Sequence, residues 1–327
     1  MSTITLPGLI DIHVHLRDPG QTEKEDFETG TLAARAGGFT TVCDMPNNKK
    51  PIFTYEALME KKKIAKEKSK CTVLFYFGTT GDNLNEFDKV YDEVVGLKIY
   101  LDHTTGGYIL HPNYLKEIYL KWNGGPILAH CEDEHIETLL TIAKQTSKPT
   151  HICHIHSKYV LTKIIQAKKE GVPVTCGITP HHLFLTDTDF ARIGPLAKMK
   201  PPLAPQSDVD FFWKNLDAVD VVESDHAPHT LVEKLSDNPP YGVPGLETTL
   251  PLLLTAVYEK KITIQDIVRL CYDRPREILS LPESSQHIVI DTEYDYIIKG
   301  EDMVGKSKWT PFEGRKVKGK VLRVTDN

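Results

Sequence analysis

The sequence lacks the features that mark secreted, membrane-spanning and nucleic-acid-binding proteins. Its 327 residues contain no apolar run near the roughly 20 residues of a membrane helix, and the N-terminus has no signal-peptide pattern. The six cysteines are spread thinly, mostly within apolar runs, which indicates buried thiols and no disulfide framework. Lys and Arg (39) do not exceed Asp and Glu (45), which excludes a broad surface for nucleic acid or anionic membranes. We therefore expect a cytoplasmic protein.

The composition is that of a folded chain, and one residue type stands out. Hydrophobic residues make up 40% and charged residues 26%, so the chain is not depleted in the apolar residues that a core needs. The length allows one large domain or two ordinary ones. Fourteen histidines are more than structural roles readily account for, so they are candidates for chemistry.

Short apolar runs alternate with longer charged, amphipathic stretches. The runs are near-continuously hydrophobic, which is typical of strands that are buried on both faces. They occupy residues 9–15, 39–46, 71–78, 96–101, 126–132, 150–156, 172–180 and 218–228. Eight such strands with helices between them predict a parallel (β/α)8 barrel, and an open parallel sheet is the alternative.

Two stretches interrupt this rhythm, and the end of the chain changes character. Residues 186–217 have a Pro-rich centre that excludes regular structure, and residues 230–245 are predicted to form another long loop. On a barrel, such loops would cover the catalytic rim. Strand-like patterns return near the end. We predict a barrel over residues 1–284 and a small C-terminal β segment over residues 285–327.

Polar side chains recur where the predicted strands end. Because residues i and i+2 of a strand point the same way, His13 and His15 can bind one ion together. Active sites of such barrels lie at this rim, and several histidines with a carboxylate are the ligands of a catalytic zinc site. A single histidine would more simply be a satisfied polar residue, but five strand ends favour metal. The candidates are His13, His15, Lys98, His130, His154 and Asp225.

Lys98 is unusual among these candidates, because an ammonium group cannot bind a cation. It lies in the run GLKIYL, which offers no surface neighbours for a snorkelling lysine. A desolvated lysine can lose its proton and take up CO2. The resulting carbamate would be a carboxylate able to bridge two metals.

The motifs, taken together, resemble those of a known family. They are LPGLIDIHVHLRDPG, MPN, GLKIY, AHCE, HICHIH, TPHHLFL, SDHAPHT and PGLETTLPLLL. The combination resembles the dihydroorotases of the amidohydrolase superfamily, and in particular the dihydroorotase domain of the animal multifunctional pyrimidine-synthesis protein (CAD). The resemblance covers essentially the whole chain, and its motifs occur in the family's order.

The resemblance implies a site with two Zn²⁺ ions per chain. It assigns His13, His15 and Asp225 to the first ion and His130 and His154 to the second. Lys98 would carry the CO2-derived carbamate that bridges the two ions. In animal relatives, a glutamate assigned to an additional metal stands where this chain has Gly177. We therefore predict two ions and no third.

The resemblance also implies a substrate and its contacts. The reaction is the reversible cyclisation of N-carbamoyl-L-aspartate to L-dihydroorotate plus water, with Asp225 carrying the proton. Arg17 and Asn47 would anchor the substrate carboxylate, which suits a guanidinium fork and an amide donor. Further substrate contacts are expected at His229, Tyr241, Gly242 and Lys200. Thr104 and Thr105 match a mobile loop that closes over the substrate.

The partners that we expect are few. A homodimer is the family expectation, and aspartate transcarbamoylase is a candidate partner because dihydroorotases often associate with it. No nucleic acid or membrane partner is expected.

Three other functions remain open. Hydantoinases, dihydropyrimidinases and allantoinases share the metal ligands, but Arg17 and Asn47 favour an acidic substrate over their neutral rings. A catalytically inactive dihydroorotase-like scaffold is the second alternative, although every predicted metal-ligand position is filled here. A metal-storage module is the third.

Overall fold

The eight predicted strands form one parallel sheet whose order follows the chain. The computed structural model describes residues 3–104 and 106–325. The strands of this part are β1 Thr3–Pro7, β2 Leu9–Val14, β3 Phe39–Asp44, β4 Thr72–Gly78, β5 Gly96–Tyr100, β6 Ile127–His130, β7 Thr150–Ile152, β8 Val174–Ile178, β9 Val221–Val222, β10 His287–Ile297 and β11 Lys316–Thr325. Strands β2 to β9 pair in sequence order.

The sheet curves back on itself, which confirms the barrel over the open sheet. A parallel bridge joins Val14, at the end of β2, to His226, just beyond β9. The His15 backbone N–H also donates to the His226 carbonyl at 2.8 Å. The first and last strands of the sheet therefore meet, and the carboxyl ends of all eight strands lie at one rim.

Helices follow the strands and cover the barrel. Their bounds are α1 Phe27–Ala36, α2 Tyr55–Lys68, α3 Phe87–Val90, α4 Leu115–Lys121, α5 Ile136–Thr146, α6 Lys158–Lys169, α7 Pro180–Phe184, α8 Asp187–Ile193, α9 Gln206–Lys214, α10 Leu231–Lys234, α11 Leu246–Tyr258, α12 Ile264–Val268 and α13 Arg274–Ile278. Within the described residues, no helix is both long enough and apolar enough to cross a bilayer.

Burial explains why the strands read as continuous apolar runs. Every residue of β2 and β5 is buried, because one face meets the barrel interior and the other meets helices. The contact of α1 with α11 is close at Gly37, where an added Cβ would collide with the Leu246 carbonyl oxygen. Glycine is required there for the approach of two backbones.

The two long stretches over the rim contain more regular structure than predicted. In residues 186–217, helices α8 and α9 flank an irregular centre, and residues 230–245 include the one-turn helix α10. The prediction of a loop throughout 230–245 is wrong for this turn. The turn is helical because a capping box stabilises it. The Thr230 hydroxyl accepts from the Glu233 N–H, and the Glu233 carboxylate accepts from the Thr230 N–H.

A second, smaller sheet combines both ends of the described chain. Strands β1, β10 and β11 form an antiparallel sheet in the order β1–β10–β11. The predicted β segment over residues 285–327 contributes two of these strands, and β1 joins them from the other end of the chain. The division of the chain at residue 284 stays a prediction.

A buried aspartate fixes the seam where the barrel closes. Asp11 of β2 is fully buried, and its Oδ1 accepts from the His13 N–H at 3.0 Å and the Ser224 N–H at 3.2 Å. The Ser224 hydroxyl accepts from the His226 N–H at 3.0 Å. The segment after β9 is therefore held against β2 by side-chain hydrogen bonds in addition to the backbone bridge.

We expect Asp11→Ala to destabilise the fold. Its loss leaves two buried N–H groups without their acceptor, which costs about 1–3 kcal/mol for each unsatisfied group. Urea unfolding of the variant measures the change, with Asp237→Ala at an exposed position as the control. A loss within about 0.5 kcal/mol, as expected for a surface substitution, would contradict this account of the seam.

Candidate active site

A polar cleft of about 360 Å³ opens at the carboxyl ends of the strands. The cleft is lined by most of the residues that the sequence predicts to bind metal or substrate. They are His13, His15, Arg17, Asn47, Thr104, His130, His154, Lys200, Asp225, Tyr241 and Gly242. Lys98 and His229 lie behind its walls, and Thr105 lies outside the described residues. Residues from seven different strand ends or following loops therefore converge on one cleft.

The first group of candidate ligands consists of His13, His15 and Asp225. One ligand atom from each lies within 4.8 Å of the others. The Asp225 Oδ1 is 3.1 Å from His15 Nε2 and 3.4 Å from His13 Nε2. The two histidines come from the end of β2 and the aspartate from beyond β9, so the closure of the barrel brings this group together.

The second group consists of His130 and His154, from β6 and the end of β7. Their Nδ1 and Nε2 atoms, respectively, are 3.1 Å apart. The ring of His154 also lies 5.1 Å from that of His13, measured between centroids. The two groups are thus neighbours across the barrel mouth, as a binuclear site requires.

Lys98 lies beneath both groups and is fully buried. Its Nζ is 3.0 Å from Cys153 Sγ and 5.1 Å from the centre of the Tyr100 ring. In the described part of the chain, no carboxylate lies within ion-pair distance of this amine. Burying an amine without an anion beside it is unfavourable unless another group compensates it. Its place beside both ligand groups makes Lys98 the candidate for the carbamate that the sequence predicts.

The electrostatics of the cleft favour an added cation. Burial and the Lys98 charge lower the pKa of His13, but Asp225, Cys153 and Glu223 together raise that pKa to about 10. Burial lowers the pKa of His15 to about 3 against the opposing effect of Asp225. The acidic groups thus concentrate negative potential on His13, where a proton or a metal ion compensates it.

The donor atoms fit a metal as well as the charges do. His130 Nε2 and His154 Nδ1 are buried and make no hydrogen bond within residues 3–104 and 106–325. Buried polar atoms normally have partners, so such a cluster calls for an explanation. Imidazole nitrogens beside a carboxylate are ligands that suit Zn²⁺, and a carbamate on Lys98 would add two oxygens.

Backbone strain concentrates on these residues. Arg17, His154 and Asp225 have positive φ angles of 64°, 38° and 44°, in the left-handed region that side chains with a Cβ rarely adopt. Such conformations cost of order 1–3 kcal/mol each and persist where the surroundings dictate them. The fold therefore holds three residues of the site in directions that relaxed strand ends would not give.

Arg17 and Asn47 lie beside the first group of ligands. The Asn47 Oδ1 accepts from His15 Nδ1 at 2.8 Å, which directs the other nitrogen of that ring toward Asp225. Arg17 is buried, and its Nε donates to the Pro228 carbonyl at 3.1 Å. The pair thus holds an amide and a guanidinium at the edge of the cleft, where a carboxylate would be bound.

His229 supports Arg17 from behind. Its Nε2 is 2.9 Å from the Tyr241 carbonyl and 3.2 Å from Arg17 Nη2, and its Nδ1 is 3.2 Å from Lys24 Nζ. Burial, followed by the charges of Arg17 and Lys24, holds the pKa of His229 far below its usual value. The ring is therefore neutral, with Nδ1 accepting from Lys24 and Nε2–H donating to Tyr241. The predicted contact of His229 with substrate stays a prediction.

Lys200 reaches the cleft but is already paired. Its Nζ is 3.2 Å from both carboxylate oxygens of Glu132, and Glu132 Oε1 is 3.5 Å from His130 Nε2. Glu132 therefore links Lys200 to the second group of ligands. The sequence offered a signal for this carboxylate, because it follows His130 by two residues.

Two further residues were missed by sequence reasoning. Tyr100 follows Lys98 by two residues in β5 and lines the cleft, and its buried hydroxyl makes no hydrogen bond among the described residues. Burial raises the pKa of this phenol well above its usual value, so it remains a donor. Glu223, fully buried, follows the apolar β9 and contacts His13 and His154. An acid directly after a buried strand was the signal for it.

The fold and the site define a class. A (β/α)8 barrel with histidines, an aspartate and a buried lysine at its catalytic rim is the architecture of the metal-dependent amidohydrolases. Comparison with known proteins narrows this class to one family.

A family model and named relatives match the chain. The model described as dihydro-orotase-like matches residues 2–95. The chain is 37% identical to a dihydroorotase of Pyrococcus furiosus, over 98% of this chain and 79% of that protein. It is 44% identical to the multifunctional protein CAD of Squalus acanthias, over 98% of this chain, and it spans 14% of the length of that relative. The chain belongs to the dihydroorotase family.

Solved structures share the whole fold. The L-hydantoinase (dihydropyrimidinase) from Arthrobacter aurescens matches with a TM-score of 0.94 and 25% identity, over 99% of this chain and 84% of that one. The inactive dihydroorotase-like domain of a CAD-like multifunctional protein from Chaetomium thermophilum matches with a TM-score of 0.83 and 27% identity, over 99% and 93%. The barrel therefore occurs with different activities, and function must be argued from the site.

We expect Tyr100→Phe to weaken substrate turnover without disturbing the fold. The hydroxyl is poised to donate into the cleft, and a neutral hydrogen bond worth about 1 kcal/mol corresponds to about a fivefold loss in kcat/KM. Steady-state kinetics with dihydroorotate measure it. Tyr119→Phe, which removes a buried hydroxyl bonded to Thr150 outside the cleft, is the control. Unchanged kinetics in Tyr100→Phe would exclude a contact between this hydroxyl and substrate.

Proposed function

We propose that the protein is a dihydroorotase that interconverts L-dihydroorotate and N-carbamoyl-L-aspartate in pyrimidine synthesis. One observation carries the proposal. A single cleft combines the histidine and aspartate cluster with a buried arginine and an asparagine beside it. The cluster suits hydrolysis of an amide, and the Arg17–Asn47 pair suits a carboxylate on the same small molecule.

We propose two Zn²⁺ ions for this cleft. His13, His15 and Asp225 would hold one ion, and His130 and His154 would hold the other, with a carbamate on Lys98 shared between them. When bound, zinc would polarise the ring carbonyl and lower the pKa of water to near neutrality. The buried amine of Lys98 and the partnerless histidine nitrogens support this assignment.

The protein's own residues then account for orientation and proton transfer. Arg17 and Asn47 bind the carboxylate of dihydroorotate and so place the ring amide over Asp225. Although burial raises the pKa of Asp225, the charge of His13 and the hydrogen bond with His15 bring it below its usual value. The carboxylate is therefore ready to accept the proton of the attacking water and to pass it to the ring nitrogen as the ring opens.

The hydantoinase alternative is disfavoured by the same pair of residues. Hydantoin and dihydrouracil are neutral rings, and neither offers an anion to the buried guanidinium of Arg17. The inactive-scaffold alternative is disfavoured because the strained backbone of His154 and Asp225 directs both residues into the cleft. Strain of that kind is typical of working sites.

Other expectations extend beyond the site. A homodimer, association with aspartate transcarbamoylase and a cytoplasmic location stay predictions. Association would suit a chain whose relative CAD is a multifunctional protein.

We expect zinc-loaded protein to open L-dihydroorotate and to leave hydantoin and dihydrouracil unchanged. In Arg17→Ala, kcat/KM for dihydroorotate should fall about ten- to two-hundred-fold, because a hydrogen bond to a charged group contributes about 1.5–3 kcal/mol. Absorbance of the ring amide follows the reaction. Glu293→Ala, far from the cleft on β10, serves as the control.

Two outcomes of that experiment would contradict the proposal. Turnover of the neutral rings would place the protein with the hydantoinases. No turnover of any of the three substrates, with zinc demonstrably bound, would favour the inactive scaffold.

We expect Lys98→Ala to lower the zinc content and to abolish turnover. The variant lacks the amine that would form the shared carbamate, so both ions lose a ligand. Elemental analysis after gel filtration measures zinc per chain, which we expect to be two in the unmodified protein. Lys234→Met, which removes another buried amine outside the ligand groups, is the control for the loss of buried charge. Full zinc content in Lys98→Ala would overturn the assignment of Lys98.

A further inference from the structure

Glu223 is a buried carboxylate that contacts both groups of histidines. Its side chain is fully buried, and its Oε2 is 3.3 Å from His13 Nδ1. Its Oε1 accepts from the His154 backbone N–H. A third histidine, His151, lies with its Nε2 3.7 Å from Oε2. One carboxylate therefore joins a residue at the end of β2 to a residue at the end of β7.

The carboxylate fills space that belongs to another residue's side chain. Gly177 of β8 pairs with Val221 of β9 in the parallel sheet. Glu223 follows Val221 by two residues. A Cβ built on Gly177 would collide with Oε1 and Cδ of Glu223. Residue 177 and residue 223 therefore compete for one volume, and in this chain residue 223 occupies it.

We propose that Glu223 is a positioning residue that orients His13 and His154 for metal binding, and that glycine at residue 177 makes room for it; this rests on the metal site of the proposed function. A carboxylate that accepts from the distal nitrogen of a metal-binding histidine fixes the ring and raises its basicity. Here the same group also holds the backbone of His154, a residue with a φ angle of 38°.

The two oxygens of Glu223 have different neighbours. Oε1 accepts from the His154 N–H, and Oε2 faces the rings of His13 and His151. A neutral side chain of equal size could not accept from His13 and from the His154 N–H with the same strength.

A direct role in binding a metal is the competing interpretation. Atoms of His13, Cys153 and Glu223 lie within 4.8 Å of one another, so these three could bind an ion of their own. Positioning is favoured because both oxygens of Glu223 already face partners, Oε1 the His154 N–H and Oε2 the His13 ring. The two interpretations differ in the number of ions that depend on Glu223.

The experiment moves the carboxylate from residue 223 to residue 177. The set consists of Glu223→Gln, Glu223→Ala, and the double variants Gly177→Asp/Glu223→Ala and Gly177→Asn/Glu223→Ala. Zinc affinity is measured by competition with a chromogenic chelator, and zinc per chain by elemental analysis at saturation. Circular dichroism reports whether each variant folds. Glu223→Gln keeps the volume of the side chain and therefore provides the test if Glu223→Ala does not fold.

We expect both single variants to bind zinc about 10- to 100-fold more weakly, with the same number of ions at saturation. The aspartate double variant should recover most of this affinity, and the isosteric asparagine double variant should not. Unchanged affinity in Glu223→Gln, or equal recovery by asparagine, would overturn the proposal.

Two further outcomes separate this inference from the proposed function. Loss of one whole ion in Glu223→Gln, with a thiolate-to-cobalt band in the cobalt-substituted parent, would overturn positioning and make Glu223 a ligand. A parent protein that binds zinc but leaves dihydroorotate intact would overturn only the function. A parent that binds no zinc would overturn both.

Discussion

The constraint on which this structure depends is the cost of burying charge at one rim of a closed barrel. Closure at the seam between Val14 and His226 gathers the polar residues of seven strand ends and their loops into one small volume. Desolvation there is unfavourable for every ionised group unless a partner compensates it. The arrangement of carboxylates, imidazoles and cations around the cleft follows from that requirement.

Carboxylates behind the cleft supply much of this compensation. Asp11 accepts from the backbone on both sides of the seam, and Glu223 links His13 to His154. Asp44, at the end of β3, accepts from the Leu16 N–H at 2.9 Å and pairs with the buried Lys61 at 2.8 Å. Each of them holds a loop that carries a site residue, so the rigidity of the site is electrostatic as well as steric.

The parts of this design that depend on local pattern could be predicted from the sequence. The eight strands were evident because buried parallel strands are continuous apolar runs, and the candidate ligands were evident because they stand at strand ends. Glu223 and Tyr100 could not be placed in the same way, since their roles depend on which strands become neighbours. The competition of residues 177 and 223 for the same space could not be predicted without knowing that β8 pairs with β9. The third strand of the small sheet, β1, was missed because its partner β10 is distant in sequence.

The position of Arg17 follows from the same constraint and bears on substrate choice. The side chain is almost fully buried, yet its Nε donates to the neutral Pro228 carbonyl and its Nη2 lies 3.2 Å from the neutral ring of His229. Burial lowers the pKa of this guanidinium to about 10, and the nearby carboxylates only partly offset that effect. An anion bound in the cleft would compensate the charge of the Arg17 guanidinium, whereas a neutral ring would leave that charge uncompensated. Because compensation is worth more in a desolvated cleft than in water, the substrate that the site stabilises most is the one that brings a carboxylate.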